Sequence, residues 1–254
     1  MRRDVLELRA FYATALGRAA RDMVVRQLVE AWGDARGLDL LGLGYTSPFL
    51  DLFRARARRV VLAMPAAQGV ETWPMGGANL ACLADETALP FPGALFDRVL
   101  IMHGLEEAQA LSALMDEVHR VLSPSGRVII ATVNRNGLWA GAEGTPYGHG
   151  RPFTRAQLEA TVRDAGLEPL AWSRALYTPP WPPLAPYAEM IEQTASRLIA
   201  PASGLILLEA VKQTFAVRPK GSRARVVSPV LRPSPAMPKT AKDALGNGGV
   251  LRHT

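Results

Sequence analysis

Residues 38–47, Leu-Asp-Leu-Leu-Gly-Leu-Gly-Tyr-Thr-Ser, run an apolar strand straight into a Gly-x-Gly turn, and a further apolar segment begins at Pro48. Glycine has no Cβ, so Gly42 and Gly44 can take positive φ and let another group lie against the main chain near the next helix N-terminus. Such a turn suits a nucleotide-like ligand. Alone it is weak evidence, and its weight depends on the sequence around it.

Upstream, residues 4–33 carry apolar residues at helical spacing (Leu8, Phe11, Tyr12, Leu16, Met23, Val24, Leu28, Trp32), with Gly17 as an interruption. Two helices, or one kinked helix, are expected there. Downstream, a helix is expected from Pro48 to Ala57, with Pro48 in its first turn. Strands are expected at Arg59–Met64, Asn79–Ala84, Phe96–Met102 and Arg127–Val133. Before the last of these, Leu111, Leu114, Met115, Val118, Val121 and Leu122 share one helix face, and Ser123-Pro124-Ser125-Gly126 ends that helix. A helix opening at Thr154, a strand Leu170–Leu176, a Pro-rich connector at 179–183, a helix Tyr187–Leu198 and a strand Gly204–Val211 complete the series.

Strands alternating with helices predict an α/β, doubly wound, mostly parallel sheet of seven strands, preceded by N-terminal helices. In such sheets ligands bind outside the carboxyl ends of the strands where the strand order reverses. Gly42, Gly44, Met64, Asp85 and His103 all fall at that edge. The organisation expected is a helical cap at 1–35, a main domain at 36–216 with a helical insertion at about 178–203, and a tail at 217–254.

Composition narrows the chemistry. The 254 residues are 48% hydrophobic with a net charge of +6, enough apolar material for one domain of ordinary size. The charge is uneven, because from Lys212 onward nine basic residues face Asp243 alone, leaving the preceding part slightly acidic. Five prolines and a Gly-Asn-Gly-Gly run make the tail unable to build a core, so disorder is expected there. It reads as a solubilising extension able to touch an acidic partner. Without interleaved aromatics it has no stacking platform for a nucleic acid. The single cysteine, Cys82, excludes a disulfide framework and thiolate-rich zinc sites, and no metal-spaced histidine pair appears. With no long apolar run, a cytosolic protein without a membrane span is expected.

Four motifs then occur in order: the Gly-x-Gly turn, Asp85-Glu86-Thr87-Ala88-Leu89-Pro90-Phe91-Pro92, Phe96-Asp97-Arg98-Val99, and Glu117 to Arg127 with its Arg-Val-Leu-Ser-Pro-Ser-Gly turn. Over roughly residues 36–170 the chain resembles the class I S-adenosylmethionine-dependent methyltransferases of the type 11 group. The Asn134–Trp139 and Gly148–Phe153 segments look like a bacterial subgroup. The resemblance implies a Rossmann-like fold and S-adenosylmethionine as cofactor. It implies that Gly42, Gly44 and Tyr45 form the turn beside the methionine part. Asp85 matches the acid that accepts from the adenine amino group, with Glu86 on the same rim, and Met102 and His103 match the strand end lining the methionine and sulfonium portion.

The sequence departs from the family at three places. The acid usually found two residues before the first glycine is Leu40, with Asp39 displaced to the opposite strand face. The strand that usually ends in a ribose-binding acid ends Ala63-Met64-Pro65, with Glu71 well beyond it, and the third glycine position is Thr46. A lost hydroxyl contact weakens binding by about 1–3 kcal/mol. Side chains expected to face the cleft are Tyr12, Tyr147, His149 and Arg151, none with an assigned catalytic role. No Ser/His/Asp set or Gly-Lys-Ser phosphate loop occurs. The function expected is methyl transfer to a small molecule, the alternative being a catalytically silent scaffold that binds a partner through its cleft or basic tail.

Overall fold

The computed structural model describes residues 2–198 and 202–213. The tail expected from residue 217 lies outside them. Two helices, α1 (Val5–Ala13) and α2 (Ala15–Trp32), lead into β1 (Asp39–Gly44). The break between them is Thr14, whose hydroxyl accepts from the Gly17 amide as the cap of α2. Gly17 is needed for another reason: a Cβ there would lie 2.0 Å from the Phe11 carbonyl oxygen, so glycine lets the two helices meet closely.

The remaining elements are α3 (Ser47–Leu50), β2 (Arg59–Pro65), β3 (Ala81–Ala84), β4 (Phe96–Met102), α4 (Leu111–Val121), β5 (Leu122–Val133), α5 (Arg155–Asp164), β6 (Leu167–Ala175), α6 (Ala188–Leu198) and β7 (Leu205–Lys212). They form one seven-stranded sheet in the order β3-β2-β1-β4-β5-β7-β6, parallel except for β7. The doubly wound expectation holds. The strand order reverses between β1 and β4, which places the Gly-x-Gly turn at the switch point.

Successive strand residues alternate between two cores, as a period of two requires. Leu40, Leu62, Leu100, Ile129 and Leu207 pack with α1 and α2, whereas Leu41, Leu43, Val99, Ile101, Val128 and Ile130 pack with α4 and α5. Leu40 is therefore a core residue under α2. Asp39 sits at the opposite, amino end of the sheet, where its carboxylate takes two bonds from Arg58 at 2.6 and 2.9 Å.

Two expected elements differ. The helix after the turn is one turn long and passes into a 3₁₀ turn at Asp51–Phe53 instead of reaching Ala57. Phe49, Leu50 and Phe53 supply its buried apolar face, and the Arg/Ala run that follows has little to bury, so packing does not extend it. Strand β5 starts at Leu122 and takes in Ser123–Gly126, which pass along β4 through a register shift between Phe96 and Arg98. Among the described residues no helix is long and apolar enough to cross a membrane.

Candidate functional site

At the switch point the turn packs against the end of β4. Gly44 has φ +87°, and a Cβ there would lie 2.3 Å from the Met102 carbonyl oxygen and 3.2 Å from Gly104. The Tyr45 amide donates to that same carbonyl at 2.9 Å. A Cβ on Gly42 would meet Thr46 Oγ1 at 2.0 Å, so the threonine at the third glycine position occupies the space that Gly42 leaves open. Met102 is buried and holds the turn through its backbone. Tyr45 is buried against Tyr12, their rings stacked at 5.8 Å, and burial pushes its phenol pKa up. Glu71, distant in sequence, reaches the turn: its carboxylate accepts from Ser47 Oγ at 2.7 Å.

Beside the turn, the ends of β2, β3 and β4 surround a cavity of about 650 Å³. Its apolar wall is Pro65, Ala66, Ala67, Ala84 and Ala108, and its charged lining is Asp85, Glu86, Glu106, Glu107, Arg2 and Arg151. Asp85 Oδ1 accepts from the Thr87 amide (2.8 Å) and hydroxyl (2.7 Å), which hold its carboxyl below the ordinary range and so ionised at neutral pH. Arg2, with a side chain only 4% exposed, pairs with Glu86 at 2.5 Å and donates to the Gly104 carbonyl at 2.9 Å. Glu106 is buried; Oε1 accepts from the Val133 amide while Oε2 has no hydrogen-bond partner, and burial raises its carboxyl pKa.

An aromatic cluster adjoins this cavity. His103, at φ +51°, follows β4, and its Nε2 lies 2.6 Å from the Tyr12 hydroxyl. The Tyr12 and Tyr147 hydroxyls are 2.7 Å apart. Although the His103 residue retains some exposed surface, its ring lies among tyrosines, and desolvation lowers its pKa to about 3. It is therefore neutral at physiological pH. The N-terminal segment is fastened over the same ground. The Val5 amide donates to the Gln68 carbonyl at 2.8 Å, and the Gln68 amide group donates to the His103 carbonyl at 3.2 Å. Arg3 contacts His149, and the Arg151 amide donates to the Glu106 carbonyl.

Residues 27–130 match the model of the methyltransferase domain family. Over that stretch the chain is similar to the class I methyltransferases. Over 96 residues it is 30% identical to a demethylmenaquinone methyltransferase of Thermus thermophilus, covering 38% of this chain and 37% of that protein. Over 192 residues it is 29% identical to an uncharacterized protein of Mycobacterium tuberculosis, covering 70% of this chain and 63% of that one. The matches thus span less than two thirds of the length of these curated relatives. Among solved structures, a SAM-dependent methyltransferase of Thermotoga maritima superposes with a TM-score of 0.56 at 15% identity, covering 82% of this chain and 96% of that one. The cyclase SpnF superposes at 0.54 and 19%, covering 76% and 81%. At such identities the likeness concerns the fold.

Within this fold the residues singled out from sequence gather at one edge, and they divide into two groups. Asp85 and Glu86 line the polar cavity, which offers what an adenosine group needs: an ionised acceptor and apolar walls. Gly42, Gly44, Tyr45, Met102 and His103 instead lie under the N-terminal segment, where Tyr12 covers the turn. The residues fit the adenosine end as they stand, whereas Arg2 holds the polar groups on the side of Gly104. Sequence reading did not single out Arg2, Gln68, Glu106 or Glu107. Arg2 lies beyond the periodic part of α1, and the Glu106-Glu107 pair reads as an ordinary solvated loop until the Gly148–Pro152 loop packs over it. Gly150, at φ +77°, packs so closely there that a Cβ would lie 2.9 Å from the Glu106 carbonyl oxygen, an approach that spacing in the sequence does not show.

Proposed function

We propose that this chain is a cytosolic, bacterial S-adenosylmethionine-dependent methyltransferase acting on a small-molecule acceptor. The observation that carries the reading is the placing of the Gly-x-Gly turn and the Asp85-lined cavity side by side at the switch point of a 3-2-1-4-5-7-6 sheet. Asp85 would accept from the adenine amino group, with Pro65, Ala66 and Ala84 as apolar walls. Glu86 and Glu107 supply carboxylates across the same cavity, whereas Met64, near the end of β2, stands in the place of the family's ribose-binding acid. When bound, the cofactor supplies a methyl group on a sulfonium. An acceptor nucleophile would take that methyl while the bonding pair stayed with the sulfur, and an X–H acceptor would give up its proton to solvent. The protein's part is alignment and exclusion of water.

Because Arg2 already holds Glu86 and the Gly104 carbonyl, a cationic ligand that takes those acceptors must displace it. Buried Arg2 and the missing acid at Met64 favour a second reading, a silent methyltransferase-like scaffold. Titration calorimetry with S-adenosylmethionine and S-adenosylhomocysteine separates the two. The enzyme reading expects saturable heat that Asp85→Ala reduces at least five-fold in affinity, on the scale of one lost hydrogen bond to a charged group. No heat at millimolar ligand would leave the scaffold reading.

A further inference from the structure

A second cavity, of about 530 Å³, adjoins the aromatic cluster from the other side. Its walls come from three segments: Phe11 and Leu16 at the α1–α2 junction, Leu138 and Ala142 from the loop after β5, and Trp181 and Pro182 from the connector between β6 and α6. These segments are tied together. The buried Trp139 Nε1 donates to the Thr178 carbonyl at 2.8 Å, and Trp139 sits edge-on to Tyr147 at 5.1 Å. Phe11 in turn sits edge-on to Tyr12 at 5.1 Å and Tyr147 at 5.9 Å. A continuous series of contacts therefore runs from the apolar cavity through Phe11, the two tyrosines and His103 toward the polar cavity.

The two cavities have opposite chemistry. Among the described residues, six ionisable side chains line the first and none lines the second. The two hydroxyls in the second are already engaged: Thr14 donates to the Phe11 carbonyl at 2.7 Å and Thr145 to the Ala142 carbonyl at 2.9 Å. A charged group entering there would lose its water without gaining a partner. Leu138 and Trp181 are each 60% exposed at its walls, apolar surface that a ligand would remove from water. The volume lies within the range of small-molecule sites, roughly 300–1,000 Å³.

We propose that this cavity is the acceptor site and that it takes a neutral, flat, predominantly apolar molecule. The proposal rests on the methyltransferase reading, but the ligand class is read from the cavity alone. Aromatic and proline walls favour a flat ring system, and the absence of any free charge excludes carboxylates, phosphates and amines as the part of the acceptor held there.

The test is a matched pair of fluorescent probes titrated into the full chain: neutral N-phenyl-1-naphthylamine, and 1-anilinonaphthalene-8-sulfonate, which adds a sulfonate to the same rings. The neutral probe should bind saturably and at least ten-fold more tightly than the sulfonate. Ala142→Trp, which fills the cavity, and Leu138→Glu, which places a charge at an exposed wall position, should each weaken it ten-fold or more with the circular dichroism spectrum unchanged. Equal or tighter binding of the sulfonate, or neutral-probe binding indifferent to both substitutions, would overturn the proposal. S-adenosylhomocysteine calorimetry on the same samples keeps the two readings apart. Homocysteine-ligand binding without neutral-probe binding sinks the acceptor site alone. Neutral-probe binding without it leaves the ligand class standing and removes the methyl-transfer role.

Discussion

At the scale of single residues, the Gly-x-Gly turn is held by what surrounds it. Gly44 combines positive φ with an approach to the Met102 carbonyl that leaves no room for a Cβ. Gly44→Ala should therefore destabilise the chain by about 2–4 kcal/mol, backbone strain and overpacking together, read as a lower urea midpoint. A midpoint within error of wild type would show that the close approach is not maintained in solution. Arg2 offers an opposite sign. If its guanidinium competes for Glu86 and Gly104, Arg2→Ala should tighten S-adenosylhomocysteine binding several-fold by calorimetry, and weaker binding would make Arg2 a ligand contact instead. His103 gives a pH signature. Its folded pKa, about 3, lies below the ordinary 6.5, so the unfolded chain binds more protons between those values and stability falls as pH falls through that window. From pH 7.5 to 5.5 this contributes a loss of about 1 kcal/mol, which His103→Gln should remove in urea titrations at the two values. An equal loss in both proteins would show that His103 is not held neutral.

At the scale of elements, strands and their order were largely legible because each carries its own apolar run bounded by turn chemistry. β4 matches the expected limits, and β2 extends the expected strand only to Pro65. Elements fixed by tertiary packing were less legible. The helix after the turn read as ten residues, yet only Phe49, Leu50 and Phe53 had a core to enter, and the Arg-rich continuation did not. Gly17 read as a helix breaker, whereas it serves as the contact point of α1 with α2 and the break falls at the Thr14 cap. The candidate site was half legible for a similar reason. Asp85 stands inside a local motif, so sequence exposes it. Arg2, Gln68 and Glu106 acquire meaning only when the N-terminal segment and the loop after β5 close over β4, contacts separated by up to 146 residues in the chain. The β6–β7 insertion shows the same limit, since Glu192 of α6 caps the end of β6 by accepting from the Leu176 and Tyr177 amides. Spacing alone does not specify that contact.

At the scale of the whole molecule, the sheet presents one edge with two chemically opposed cavities and an N-terminal segment fastened across the aromatic cluster near both. The basic tail lies outside the described residues. The central claim is that the polar cavity takes the adenosine end of a methyl-donor cofactor and that the N-terminal segment yields to the remainder. Amide hydrogen exchange on the full chain, with and without saturating S-adenosylhomocysteine, tests both halves at once. Slower exchange is expected over Ala84–Ala88 and Gly104–Ala108, together with faster exchange of the Val5 amide as its bond to the Gln68 carbonyl opens. Unchanged exchange at Ala84–Ala88 under saturating ligand would contradict that claim.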